Sequence, residues 1–285
     1  MGTDRQAIFR VASLNLWFPG PDFDRRAELA PGRLNAMAEA LGTLDADAVC
    51  LQEVWPGAAE VLAERLGFCG VSVVPPDPRS ACGNAVISRS AMHDAGWIQL
   101  PHLDELQQPR TAAQALVTSS TGRIWSVLST HLAFGSTSER TRLDQAQALD
   151  EHVGPAKDGD PIPVLCGDLN AIEASSTVRF LTGLEAHPSS PVSTQWIDAY
   201  AFAGEGPGET SSMENGAGRE QAQRWGVDPS LVPDRRIDYV MVKGFRYGRV
   251  GCPVRCRRFL DQPRPVPHPP WPTDHFGLVV DLLDP

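Results

Sequence analysis

The 285-residue sequence lacks several features that would place it in a special class of protein. No run approaches the roughly eighteen consecutive apolar residues of a membrane-spanning helix, so we expect no transmembrane segment. Residues 1–15 contain no basic segment followed by an apolar one, which argues against a secretory signal and favours a cytoplasmic location. The hydrophobic fraction of 42% is too high for a disordered chain. The sequence therefore indicates an ordinary folded domain.

Positive charge is also scarce. The chain has 25 Lys and Arg residues against 35 Asp and Glu residues, and its formal net charge is −10. Proteins that capture long nucleic acids do so by neutralising phosphates, so this balance argues against such a role. An arginine-rich segment at 235–258 leaves two interpretations open. It forms either a rim that faces an anionic substrate or an ordinary solvated surface.

The six cysteines define neither a disulfide framework nor a zinc site. Cys50 and Cys166 lie inside apolar strand-like runs, where a small buried hydrophobic side chain is the favoured interpretation. Cys252 and Cys256 are four residues apart, but no second pair stands at zinc-binding spacing. A chain of this size does not need disulfides for stability.

Strand-like and helical patterns alternate along the chain, which indicates an α/β fold. We predict strands at 8–15, 47–53, 84–89, 112–117, 124–132, 161–170, 236–242 and 275–283. We predict helices at 32–41, 57–66 and 176–184, and a further helix to about His152 that opens with a capping box at Ser136 and Glu139. Residues 203–234 and 261–273 break the alternation and are predicted to be loops. With no repeat and no linker, residues 1–285 are expected to form a single domain.

The polar residues that stand out share one position, at the ends of apolar strands. An isolated Asp, Asn or His there is explained by turn formation or by a structural hydrogen bond. Carboxylates, carboxamides and imidazoles at six strand ends instead indicate a catalytic site along one rim. These residues are Asn15, Glu53, His131, Asp168, Asn170, Asp238, Asp274 and His275.

With these residues in place, the sequence resembles the endonuclease/exonuclease/phosphatase superfamily of DNase I-like, metal-dependent phosphoesterases. Thr273 occupies a position where many members have Ser. The resemblance implies an α/β fold of four layers, an α/β/β/α sandwich in which two mixed β-sheets pack face to face. It also implies an active-site cleft at the strand ends. The matching segments occur in family order and are SLNLW, LQEVW, GNAVISR, STHL, CGDLNA, RIDYV and TDHFGL.

The site residues divide by chemistry into metal ligands and catalytic groups. Hard oxygen ligands such as Glu53 select Mg²⁺ or Mn²⁺, which neutralises charge that develops on a phosphate. Asn15 is expected to supply a carbonyl oxygen to the metal or its waters, and Asp274 is expected to supply a second carboxylate, as in relatives with this motif.

The remaining residues are assigned to the attacking water and the phosphate. Asp168 is the best candidate to orient or deprotonate the water, with Asn170 donating to a phosphate oxygen. His275 and Asp238 form an acid–base dyad, because the carboxylate fixes the imidazole tautomer and favours its charged form. His131 is a second imidazole on the phosphate. Arg110 either reaches the phosphate or forms a surface salt bridge.

The predicted function is a divalent-metal-dependent phosphoester hydrolase, either a phosphodiesterase or a phosphatase. It acts by in-line attack of an activated water on a phosphorylated small molecule or a lipid headgroup. The alternative is a nuclease that cleaves DNA or RNA. A catalytically inactive binding protein is less favoured, because no main position is lost. We expect a monomer in which residues 203–234 set the specificity. Trp17, Trp55 and Trp271 either line the cleft or pack in the core. His93, His102, His152, His187 and His268 are expected to be solvated.

Overall fold

The computed structural model describes residues 6–18, 30–74, 82–102, 109–157, 159–189, 194–243, 249–265 and 269–285. Within these ranges the strands are β1 (Ile8–Asn15), β2 (Ala48–Val54), β3 (Gly70–Val73), β4 (Gly83–Ser88), β5 (Met92–Gln99), β6 (Thr111–Thr118), β7 (Ile124–His131), β8 (Ile162–Asp168), β9 (Trp196–Asp198), β10 (Asp238–Lys243), β11 (Pro253–Phe259) and β12 (Gly277–Leu283). The helices are α1 (Ala30–Gly42), α2 (Ala58–Leu66), α3 (Glu139–Val153), α4 (Ser176–Leu181), α5 (Ala199–Ala203) and α6 (Gly216–Arg224).

The strands form two mixed six-stranded sheets. Their orders are β11-β12-β1-β2-β4-β3 and β5-β6-β7-β8-β10-β9. The pairs β1–β2 and β7–β8 are parallel, and the others are antiparallel. A core cluster with residues from both sheets joins them, and in it Phe9 of β1 stacks on Trp125 of β7 with ring centroids 4.4 Å apart.

Helices cover the outer face of each sheet. Side chains of α1 and α2 pack on the first sheet, and those of α3 and α4 pack on the second. The central strands are therefore buried on both faces, which explains why they read as continuous apolar runs. Cys50 and Cys166 lie in these strands and are fully buried, as predicted. The predicted four-layer α/β/β/α sandwich is confirmed.

All predicted strands and helices are present, with ends shifted by at most three residues. The predicted capping box was wrong. Helix α3 begins at Glu139, and its N-cap residue is Ser138, whose hydroxyl makes no capping bond. That hydroxyl donates to the carbonyl of Phe134, while the Glu139 carboxylate accepts from the backbone N–H of Thr177. Both groups thus bond to partners other than the N–H groups of the first helical turn.

Residues 203–234 were predicted to be a loop, and this was wrong. The segment contains α6 and a 3₁₀ helix at Pro229–Leu231. The Asn215 side chain caps α6 by accepting from the N–H groups of Ala217 and Gly218. In the second predicted loop, residues 261–265 and 269–273 form neither helix nor strand. No helix in the described part of the chain is both long and apolar enough to cross a membrane.

Candidate active site

Strand register in the second sheet aligns three of the predicted site residues. Asp168, the last residue of β8, pairs with His131 on parallel β7 and with Asp238 on antiparallel β10. Gly167 permits the close approach of β8 and β7, because a Cβ there would collide with the Thr130 carbonyl. The three side chains thus come from adjacent positions of neighbouring strands.

In the first sheet, a distortion of β2 directs Glu53 into the site. The register between β2 and β4 shifts between Leu51 and Val54, and Glu53 has a left-handed backbone with φ of 53°. A β-bulge of this kind re-aims a side chain. Trp17 and Asn170, which flank the same site, also have positive φ, of 56° and 50°. Three of the seven described non-glycine residues with positive φ therefore lie at this site.

Asn15 connects the two sheets. Its amide nitrogen donates to Glu53 Oε1 at 3.2 Å and to Asp168 Oδ2 at 3.1 Å. Its side-chain oxygen, Oδ1, accepts from the backbone N–H of Trp17 at 2.9 Å, which fixes the orientation of the side-chain amide. The amide nitrogen, and not the oxygen expected to contact a metal, faces the carboxylates. The role of Asn15 as a metal ligand stays a prediction.

His131 lies between two of these carboxylates. Its Nδ1 is 3.9 Å from Glu53 Oε1, and its Nε2 is 3.5 Å from Asp168 Oδ2. Burial, together with the charges of Arg110 and His275, holds the pKa of His131 well below its usual range. The His131 imidazole is therefore neutral in the folded chain.

His275 has the opposite protonation state. Its Nδ1 lies 2.9 Å from Asp238 Oδ2, and its Nε2 lies 3.8 Å from Asp168 Oδ2. Burial lowers the pKa of His275, but the carboxylates of Asp238, Asp274 and Asp168 outweigh this and raise it well above its usual range. The site thus holds one neutral and one charged imidazole, which suits general acid–base chemistry.

Two carboxyl groups of the site bind protons more tightly than usual. Burial, reinforced by the charge of Asp238, raises the pKa of Asp168 to about 7. Burial also raises the pKa of Asp274 to about 6, with Glu53 adding to the shift. Several carboxylates cannot all stay ionised at close range without a compensating cation.

Thr273 and Arg33 hold the strand ends together. The Thr273 hydroxyl donates to the Asn15 carbonyl and accepts from the His275 N–H. The guanidinium of Arg33, on α1, donates to the backbone carbonyls of Leu16, Trp17 and Pro272. Arg33 was not identified from the sequence, because its contacts lie up to 239 residues away. It also lies over the rings of Trp17 and Trp55, 5.1 and 5.5 Å from their centroids.

A cleft of about 660 Å³ opens onto this site. Arg110 is buried in its wall, with its guanidinium 5.7 Å from the ring of Phe134, so it is not a surface salt bridge. Phe134, Gln221 and Trp225 also line the cleft and were not predicted as site residues. The described lining consists of Trp17, Phe18, Glu53, Cys82, Arg110, His131, Phe134, Gly135, Asp168, Asn170, Gln221, Trp225, Asp274 and His275.

Other interpretations of the sequence are settled by position. Trp17 lines the cleft, whereas Trp55 and Trp271 do not and pack elsewhere. His187 is buried and bonded to Asp144, so the expectation that it is solvated was wrong. His268 lies outside the described residues. The described arginines of 235–258 do not line the cleft, so this segment is not its rim. Three of the six, Arg236, Arg255 and Arg258, pair with acidic residues elsewhere.

The donor set fits a hard divalent cation. One ligand atom of Asp168, one of Asp238 and one of His275 lie within 4.8 Å of one another, but the charged His275 is bonded to Asp238 and does not itself ligate a cation. The buried Oδ1 of Asp274 has no hydrogen-bond partner in the described part of the chain. A carboxylate oxygen that accepts no hydrogen bond in an acidic pocket, as Oδ1 of Asp274 does here, is suited to Mg²⁺ or Mn²⁺. Glu53, Asp274 and Asp168 are the residues best placed to hold such an ion or its waters.

The family model of the Endonuclease/Exonuclease/phosphatase family matches residues 12–275, a span that includes every residue of the site described above. The chain belongs to this family. This match confirms the resemblance seen in the sequence. Members of the Endonuclease/Exonuclease/phosphatase family are hydrolases of phosphoesters. No curated protein matches the sequence at a significant level.

Solved structures share the fold of this family member over nearly its whole length. An endonuclease/exonuclease/phosphatase family protein from Bacteroides thetaiotaomicron is 18% identical, with a TM-score of 0.71 over 98% of this chain and 95% of that one. TDP2 from D. rerio, complexed with a single strand DNA product, is 18% identical, with a TM-score of 0.72 over 96% and 98%. A mannosyl-6-phosphatase from B. thetaiotaomicron is 19% identical, with a TM-score of 0.71 over 97% and 100%.

Proposed function

We propose that this protein is a divalent-metal-dependent phosphoester hydrolase that acts by in-line attack of a water. One observation supports this above the others. Side chains from both sheets, separated by up to 260 positions in the sequence, converge on one cleft with carboxylates, a neutral imidazole and a charged imidazole. This combination supplies both proton transfer and charge stabilisation.

Glu53 and Asp274, with Asn15 beside them, would hold Mg²⁺ or Mn²⁺. When bound, the ion supplies positive charge that neutralises the phosphate and orients its oxygens. Oδ1 of Asp274, which accepts no hydrogen bond in the described part of the chain, supports this assignment. So does the bulge that turns Glu53 into the cleft.

Asp168 orients the attacking water and accepts its proton. Its Oδ1 is fixed by the N–H of Asn170 at 2.9 Å, and its Oδ2 by the amide of Asn15. Asn170 donates to a phosphate oxygen. The charged His275, held by Asp238, also donates to the phosphate. The neutral His131 lies between Glu53 and Asp168. Arg110 adds a buried positive charge to the same wall.

The alternative is a nuclease. A solved structure of the same fold contains a single strand DNA product, and another is a mannosyl-6-phosphatase, so this fold accommodates both substrate classes. The net charge of −10 favours a small phosphoester, because nucleic-acid capture depends on phosphate neutralisation.

Hydrolysis of bis(p-nitrophenyl) phosphate tests the proposal. Turnover should require Mg²⁺ or Mn²⁺ and stop with EDTA. Glu53→Ala, Asp168→Ala and His275→Ala should each reduce kcat/KM by on the order of a hundredfold or more. Unchanged turnover in all three folded variants would refute the assignment. Rapid plasmid nicking that falls steeply with added salt would instead favour the nuclease.

A further inference from the structure

Two aromatic side chains are exposed in the wall of the catalytic cleft. Phe134 is 55% exposed and Trp225 is 69% exposed. Single exposed apolar residues are common and need no explanation. Trp97 and Phe202, at 47% and 56% exposure, are examples elsewhere on this chain. Phe134 and Trp225 differ from them because they share a cleft with the imidazoles and carboxylates of the site.

Phe134 is held in place by its neighbours. Arg142 donates to the carbonyls of Ala133 and Gly135, on either side of Phe134, at 3.0 and 2.8 Å. The hydroxyl of Ser138 donates to the carbonyl of Phe134 itself at 2.7 Å. The loop that carries the ring is therefore fixed before any substrate binds, which reduces the entropic cost of binding.

Trp225 is on an element tied to the catalytic loop. It directly follows α6, and its backbone N–H donates to the backbone carbonyls of Gln221 and Ala222. The N-cap residue of this helix, Asn215, also donates to the carbonyl of Thr273 at 2.9 Å, next to Asp274. The backbone that carries the indole is thus tied to the turn next to the proposed metal ligands.

The composition of the cleft indicates what these rings bind. Among the described lining residues no aliphatic side chain occurs, and the large apolar ones are Trp17, Phe18, Phe134 and Trp225. An acyl chain is usually bound by aliphatic side chains, whereas flat rings stack on aromatic faces. The lining therefore favours a planar ring over a lipid tail.

We infer that Phe134 and Trp225 bind a flat aromatic ring beside the phosphoester. The preferred substrates are then phosphodiesters that carry a nucleobase or an aryl ring. The inference rests on the proposed phosphoesterase function and narrows its substrate class.

Three methyl phosphodiesters test the inference, one without a ring and two with a ring. They are dimethyl phosphate (the methyl ester without a ring), methyl p-nitrophenyl phosphate and thymidine 5′-methyl phosphate, assayed with Mg²⁺ by chromatographic detection of the products. Each variant is compared with wild type on each ester, so differences in intrinsic reactivity cancel. The nitrophenyl and thymidyl arms distinguish an aryl ring from a nucleobase as the preferred group.

Trp225→Ala and Phe134→Ala should lower kcat/KM for at least one ringed ester by roughly five- to hundredfold more than for dimethyl phosphate, the range expected for one lost stacking contact. Trp225→Phe should retain most of the rate, whereas Trp225→Leu should not. Trp97→Ala and Phe202→Ala are matched controls for an exposed ring outside the cleft.

The outcomes separate the two proposals. Equal losses on all three esters, or wild-type rates on the ringed esters in Trp225→Leu, would overturn the stacking inference and leave the phosphoesterase proposal standing. Failure of the wild-type protein to cleave any of the esters with Mg²⁺ or Mn²⁺ would overturn the phosphoesterase proposal itself. Circular dichroism of each variant establishes that it is folded.

Discussion

Nδ1 of His275 lies 2.9 Å from Oδ2 of Asp238, and both side chains are buried. The pair joins β10 of the second sheet to the turn that precedes β12 of the first. It leaves Nε2 of His275 near Asp168 and Asp274, at 3.8 and 3.9 Å. A charged imidazole is thereby fixed where the two sheets meet at the cleft.

Asp238→Asn should shift the pH dependence of hydrolysis. The neutral amide no longer stabilises the imidazolium, so the pKa of His275 falls and the charged form is lost at lower pH. We expect kcat/KM to drop by about tenfold or more near neutral pH and the alkaline limb of its pH profile to move to lower pH.

The chain offers a matched control for this substitution. Nε2 of the buried His187 lies 2.8 Å from the half-buried Asp144, in a pair outside the cleft. Asp144→Asn breaks that pair and should leave the pH profile in place. An unshifted profile in Asp238→Asn would show that Asp238 does not control the charge of His275.

Metal-free protein should lose stability between pH 6.5 and about pH 8. The pKa of Asp168 is raised to about 7, and that of His275 is raised above its ordinary 6.5, so the folded chain retains protons that the unfolded chain has released. The stabilisation is therefore lost as pH rises. The lowered pKa of His131 acts in the opposite direction only below pH 6.5.

Thermal unfolding in EDTA and in excess Mg²⁺ measures this effect. Tm in EDTA should fall across the interval, and Mg²⁺ should raise Tm more at pH 8 than at pH 6.5, since it binds the deprotonated site. Asp168→Asn removes one titrating group and should flatten the decline. A Tm in EDTA that rises with pH would contradict the proton binding described here.

Much of the fold and of the site was predictable because central strands carry periodic signals. Runs such as PIPVLCGDLN are apolar until they end in polar residues, and this marks both the strand and its catalytic end. The strands that were missed are short or near an edge of a sheet. Examples are β5, in which every side chain is exposed or half-buried, and β9, which has only three residues.

The residues that sequence reasoning missed act through distant partners. Arg33 looks like an ordinary polar position of a predicted helix, and only the fold brings Pro272 to it. The Gly-rich sequence of α6 concealed a helix, although Asn215 was an available N-cap signal. Phe134 and Trp225 are single aromatic residues without a motif, so nothing local distinguishes them from core side chains.

Thr210→Val should destabilise the connection between residues 203–234 and the site. The fully buried Thr210 hydroxyl accepts from the N–H groups of Ile237 and Asp238, at 3.2 and 3.1 Å. Without it, one buried and one half-buried donor lack an acceptor, and we expect the free energy of unfolding to fall by about 1–3 kcal/mol. Urea denaturation measures this loss. Thr210→Ser keeps the hydroxyl, and a loss equal to that of valine in this control would mean that the methyl group matters instead.

Arg33→Met should weaken the contact between the residues that follow β1 and the turn that precedes β12, which is called the joint below. Arg33 is buried at 4% exposure and donates to three carbonyls on both sides of the joint, one of them next to the Thr273–Asp274 turn. The substitution leaves these acceptors without their donor, and the free energy of unfolding should fall by at least about 2 kcal/mol.

Arg33→Lys should not restore this stability, because a single ammonium lacks the planar fork that reaches several acceptors at once. Arg65→Met, which removes an exposed contact to Asn35, is the control and should change stability by less than about 0.5 kcal/mol. Urea denaturation of the three variants decides the matter, and wild-type stability in Arg33→Lys would show that charge alone, and not the geometry of the guanidinium, holds the joint.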